Sequence, residues 1–146
     1  MSARLQYLLD TNVLSETRRR QADAGVMSFL AAAESTAMYI SVLTLGELRK
    51  GVAMKMQSDP VSAKLLSVWV DGLEHSFSDR ILGIDAATAR LWGELSAQRP
   101  RPVVDTLLAA TAIVHSLTLV TRDTDDVRGL KVKLLNPWSQ RRTHND

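Results

Sequence analysis

Tyr7-Leu8-Leu9-Asp10-Thr11-Asn12 is a short apolar run that ends on an acid and passes straight into helix-capping residues. Such a run reads as a buried strand over residues 6–9, with Asp10, Thr11 and Asn12 opening a helix over residues 13–20. A similar arrangement recurs three times. Tyr39-Ile40-Ser41-Val42 precedes Glu47, Val103-Val104 precedes Asp105, and Leu117-Thr118-Leu119-Val120-Thr121-Arg122 precedes Asp123. Each acid falls at the end of a predicted strand or in the first turn of a predicted helix. Strands alternate with helices along the chain, which argues for an α/β fold with a mainly parallel central β-sheet flanked by helices. In open α/β sheets the functional crevice lies outside the carboxyl ends of the strands, so the four acids are expected to meet there.

The remaining elements follow from punctuation and periodicity. Helices are predicted over residues 26–33, from Thr44-Leu45-Gly46-Glu47 to about residue 56, from Pro60 onward, after Asp85, and over 105–116. Val61, Leu65, Val68, Trp69 and Leu73 are expected to share one face of the Pro60 helix. Ala89, Trp92 and Leu95 form the apolar side of the Asp85 helix, and Trp69 and Trp92 are expected in the core or at a dimer contact. Further strands are predicted over 37–41, 81–84, 117–121 and 130–135, the last at a sheet edge with Trp138 packing over it. Residues 1–139 are expected to form a single domain, and 140–146 a frayed polar tail.

Composition bounds the chemistry. The chain has 146 residues, 45% of them apolar and 23% charged, which is ordinary for a soluble globular domain. It has no cysteine, which excludes disulfides, thiolate zinc sites and cysteine nucleophiles. No signal peptide or membrane-length apolar run is evident, so a cytoplasmic protein with no membrane partner is expected. The net charge of +2 is too small to indicate nucleic acid by itself, but basic residues cluster at Arg18-Arg19-Arg20, Arg49-Lys50, Arg99 with Arg101, and Arg141-Arg142. The three histidines lack zinc-ligand spacing, and neither a Gly-rich phosphate loop nor a Gly-x-Ser-x-Gly elbow is present.

Four carboxylates in one crevice repel one another, and the usual resolution is a hard divalent cation. The chain therefore reads as a metal-dependent enzyme whose substrate carries phosphate. Asp10, Glu47 and Asp105 are expected to bind Mg²⁺ or Mn²⁺ through oxygen, and Asp123 to hold a second metal or orient a water. Thr11, Asn12 and Thr121 can hydrogen-bond these acids. Each acid also has a plain structural reading as a helix cap or turn residue, so the inference rests on their joint placement.

Four segments carry a family resemblance: Leu8-Leu9-Asp10-Thr11-Asn12-Val13-Leu14-Ser15-Glu16, Ser41-Val42-Leu43-Thr44-Leu45-Gly46-Glu47-Leu48-Arg49-Lys50-Gly51, Asp105-Thr106-Leu107-Leu108-Ala109-Ala110-Thr111-Ala112, and Leu119-Val120-Thr121-Arg122-Asp123-Thr124-Asp125-Asp126-Val127, closing with Asn136-Pro137-Trp138. In order and spacing the chain resembles the PIN-domain nucleases, and within them the VapC and FitB-like toxins of toxin–antitoxin pairs. The resemblance implies a PIN-like domain over 1–139 and a Mg²⁺-dependent endoribonuclease, with Mn²⁺ as a substitute, that arrests growth by cutting RNA. It also implies a homodimer neutralised by a small antitoxin. Asp10, Glu47 and Asp105 would be the metal-binding acids. At the fourth motif many relatives have Thr-Arg-Asn with an acid three residues later; here Asp123 and Asp126 both offer a carboxylate, and Asp126 is the alternative to Asp123. Val127 stands where an aromatic is usual. Arg49, Lys50 and Arg122 are the expected RNA contacts. Two other functions compete: a PIN-fold RNA- or protein-binding module with a weak site, and a metal-dependent phosphatase. The latter is disfavoured because Asp10-Thr11-Asn12 lacks the second aspartate of the haloacid-dehalogenase motif.

Overall fold

The computed structural model describes residues 5–139; the predicted tail at 140–146 lies outside them. Strand β1 (Tyr7–Leu9) is central, between β2 (Met38–Ser41) and β4 (Thr118–Val120). Beyond β2 lies β3 (Ile81–Leu82), and beyond β4 lies β5 (Leu134–Leu135). Every pairing is parallel, giving the order β3-β2-β1-β4-β5. The chain builds outward on one side of β1 and then crosses to the other, so the ends of β1 and β4 flank a topological switch point.

Neighbouring strand residues point to opposite faces, and the core divides accordingly. Leu8 and Leu119 pack on one face with Leu95 of helix α5 (Ala86–Gln98) and with Leu108, Ala109 and Ala112 of α6 (Val103–Val114). Leu9, Ile40 and Val120 pack on the other with Val13 and Leu14 of α1 (Thr11–Glu16) and Val26 of α2 (Ala24–Ala32). The same layer takes Leu48 of α3 (Val42–Ser58) and Val70 of α4 (Pro60–Ser76). The result is a three-layer α/β domain.

Several boundaries differ from the sequence expectation. Helix α3 starts at Val42, because extended Ser41 caps it by accepting the Leu43 N–H at 3.0 Å. The Thr44–Glu47 pair is therefore no capping box; the same spacing inside a helix simply puts two side chains on one face. Helix α6 starts at Val103 and has no side-chain cap, so Asp105 sits within its first turn rather than before it. Helix α1 ends at Glu16. The predicted last strand shrinks to two residues after a turn in which Gly129 has φ +88°.

On α4 the predicted apolar face splits. Ala63 and Val70 are buried and Trp69 and Leu73 pack on the core, whereas Val61, Leu65 and Val68 are 74%, 63% and 64% exposed. Two apolar stripes on one helix leave periodicity unable to say which faces inward. The chain also places Trp92 against the α5–α6 core layer, with Trp138 on the opposite layer beside Leu135.

Candidate active site

The carboxyl ends of β1 and β4 are tied together by side-chain hydrogen bonds. Asp10 follows β1 with extended backbone and caps α1, accepting the Thr11 N–H at 2.6 Å. Its other oxygen accepts from the Thr121 hydroxyl at 2.8 Å. Thr121, buried just past β4, also accepts the Asp123 N–H at 3.0 Å. The Asp123 carboxylate accepts from the Asn12 side-chain amide at 3.0 Å. From the β2 side, α3 projects Glu47 to the Thr11 hydroxyl, which donates to it and lies 3.3 Å from the hydroxyl of buried Thr44. The side chains of Thr11, Asn12 and Thr121 thus donate to the carboxylates of Glu47, Asp123 and Asp10 respectively.

Asp105 enters from α6. Burial, then Asp10 and Asp126, push its carboxyl up to about 6; Asp123 adds to the field, and Asp126 offers a hydrogen bond that only the protonated acid can donate. Asp10 is also raised, by burial first, against hydrogen bonds from Thr121 and Thr11 that favour its charged form, with Glu47 and Asp123 adding repulsion. Asp126, unlike Asp123, therefore contacts Asp105 directly, while both contribute charge to the same cleft. The 3-10 turn Thr124–Val127 buries Val127 in the core and brings Asp126 to Asp105 of α6, while Asp125 pairs with Arg128.

All the donors are carboxylate or hydroxyl oxygens, the set that suits a hard divalent cation. Crowded anions holding a raised-pKa proton are what such a cation would relieve. Among the described residues, however, no three of these acids close on one point as ligands. Asp10, Glu47 and Asp123 are instead turned onto Thr11, Thr121 and Asn12. The fit is therefore one of donor chemistry and charge, since each carboxylate keeps lone pairs beyond those hydrogen bonds.

The raised acids have a measurable consequence. A carboxyl whose pKa is higher folded than unfolded binds more protons in the native state, so its contribution to stability is full below about pH 4 and lost as pH rises through about 6. Asp23 is lowered first by the Ser139 N–H, and Asp59 and Asp85 by hydrogen bonds from Ser62 and Thr88 at helix starts, so their contribution is lost only on further acidification, below about pH 4. In EDTA the melting temperature is expected to rise from pH 7 to pH 5 before acid unfolding sets in. A monotonic fall would contradict the crowding of Asp10 and Asp105.

The expected RNA contacts fare differently. Arg49 is held by Asp71, with Glu74 at 3.7 Å and Ser67 at 3.4 Å, so it joins α3 to α4. Lys50 is exposed on α3. The Arg122 guanidinium stacks 5.3 Å from the centre of the Trp138 ring, beside the carboxylate cleft.

A parallel sheet with acids gathered at its switch point defines a class, and comparison supplies its family. Residues 7–130 match the PIN domain, and the chain belongs to that family. It is similar to Toxin FitB of Neisseria gonorrhoeae, at 35% identity over 90% of this chain and 97% of that protein. It is also similar to VapC ribonuclease Y4jK of Sinorhizobium fredii, at 29% identity over 90% and 96%. The fold superposes on the crystal structure of FitAcB from Neisseria gonorrhoeae with a TM-score of 0.83, at 32% identity over 92% of this chain and all of that one.

Proposed function

We propose that the chain is a divalent-metal-dependent endoribonuclease and the toxin of a toxin–antitoxin pair. The observation that carries this reading is the gathering of Asp105 with Asp10, Asp123 and Asp126 at the switch point of a PIN-domain sheet. Asp10, Glu47 and Asp105 would hold Mg²⁺, or Mn²⁺ in its place, with Asp123 or Asp126 completing the oxygen set. When bound, such a cation lowers the pKa of water and neutralises charge on the phosphodiester.

The chain's own residues do the positioning. Thr121 and the Thr11 N–H fix both oxygens of Asp10, so its aim is set before substrate arrives. Asn12 steadies Asp123, and Thr11 steadies Glu47. Burial and the neighbouring Asp10 and Asp126 favour a proton on Asp105 that a bound metal would displace. A phosphatase or binding-only reading draws no comparable support from relatives named as ribonucleases and toxins.

A small antitoxin and a second copy of the chain are the proposed protein partners, acting in the cytoplasm. The exposed Val61, Leu65 and Val68 on α4 supply unpartnered apolar surface suited to one of them. Among the described residues no helix is long and apolar enough to cross a membrane. Induced expression without the antitoxin is expected to stop growth, and Asp105→Asn to relieve the arrest. Unimpeded growth with abundant wild-type protein would contradict the toxin assignment.

A further inference from the structure

We propose that the cavity beside the carboxylate cleft is a nucleotide subsite, holding the base and phosphate of an RNA residue next to the scissile bond. The inference rests on the nuclease reading above and adds where the substrate strand is gripped. The cavity has a volume of about 800 Å³ and opens between the end of α1 and the segments that follow β4 and β5. That is within the range of small-molecule sites.

Its lining is suited to a nucleotide. Arg20 and Arg122 point charge into it with no carboxylate partner among the described residues. Arg19 is paired only loosely, 3.4 Å from Glu16. The Arg122–Trp138 stack forms a planar wall, and unpaired RNA bases stack on aromatic rings and on guanidinium planes. Glu16, 5% exposed, accepts the Asp23 N–H at 2.8 Å and keeps acceptor capacity for a base amine or imine.

The wall is also built rather than loose. Ser139 donates its N–H to Asp23 at 2.9 Å and accepts the Gly25 N–H at 3.0 Å, which clamps the segment bearing Trp138 onto the start of α2. The subsite adjoins the cleft through the chain itself, because Arg122 lies between Thr121, which holds Asp10, and Asp123.

The test uses the full chain carrying Asp105→Asn, which separates binding from cutting, and a fluorescein-labelled hexaribonucleotide of mixed sequence. Adding Arg122→Gln or Trp138→Leu is expected to weaken binding about tenfold, equivalent to about 1.4 kcal/mol. Because Trp138 also packs on the core, Arg20→Gln and Arg122→Gln at exposed positions keep the test independent of folding. In the cleaving protein the same changes are expected to raise KM rather than lower kcat. Nucleoside monophosphates are expected to displace the probe where ribose 5-phosphate does not. Unchanged affinity in all three variants overturns the subsite and leaves the nuclease reading standing. Displacement by ribose 5-phosphate as effective as by nucleotide overturns base recognition. A wild-type chain that cuts no RNA, while the Asp105→Asn form binds the hexamer through these residues, overturns the nuclease reading alone.

Discussion

Replacing Asp105 with Asn is expected to lower RNA cleavage on the order of a thousandfold while leaving the metal-free protein at least as stable as the parent. The two effects have one origin. The Asp105 carboxyl sits beside Asp10, Asp123 and Asp126 and holds its proton to about pH 6. At pH 7 it is mostly charged in a field of like charge, a cost that the neutral amide removes. The amide keeps the shape and one acceptor but supplies no anionic ligand to a cation. Thermal melting in EDTA at pH 7 should thus show no loss, and the rise in melting temperature from pH 7 to pH 5 should flatten. Parallel loss of stability and activity would mean that Asp105 is a structural first-turn residue of α6 and nothing more.

The second large effect is structural and falls away from the acids. Gly25 is the one described glycine with no room for a side chain, since an added Cβ would overlap the backbone oxygen of Pro137 and the backbone nitrogen of Ser139. Backbone cannot swing aside as a flexible side chain can. Gly25→Ala is expected to cost roughly 1–3 kcal/mol, by displacing the 137–139 segment from α2. For a domain of this size that is a fall in melting temperature of roughly 3–9 °C. Trp138 fluorescence should shift with it, because the Asp23–Ser139–Gly25 clamp sets where that ring stands. A variant that melts with the parent would show that the segment is held by Trp138 packing alone.

The fold was legible where the chain gives a polarity break. Leu8-Leu9-Asp10 and Leu119-Val120-Thr121 announce strand ends because an apolar run buried on both faces must stop where the chain meets the crevice. Helix starts were less legible. Ser41 ends β2 and caps α3 at once, and a serine in a strand-like run does not advertise that second task. On α4, Val61, Leu65 and Val68 have the spacing of a core stripe, and only the packed fold shows that Ala63 and Val70 take that role. That Arg49 has acidic partners was not visible in the basic pair Arg49-Lys50, because Asp71 and Glu74 lie on the next helix.

The candidate site was legible as residues and not as contacts. Asp10, Glu47, Asp105 and Asp123 stand out by position, and Thr11, Asn12 and Thr121 by adjacency to them. That Asp126 touches Asp105 depends on the path of a 3-10 turn, for which Asp123-Thr124-Asp125-Asp126 gives no signal. The cavity wall joins residues more than a hundred positions apart, as in Arg19 and Arg20 with Arg122 and Trp138. The basic cluster and the tryptophan were each visible, but their meeting depends on β5 lying beside β4.

The most direct test is incubation of the purified chain with a total RNA pool, in Mg²⁺, in Mn²⁺ and in EDTA, beside the Asp105→Asn form. Discrete fragments with either metal, absent in EDTA and absent with the variant, are the expected result. Fragments that persist in EDTA, or that the variant produces at the parent's rate, would contradict a nuclease centred on these carboxylates.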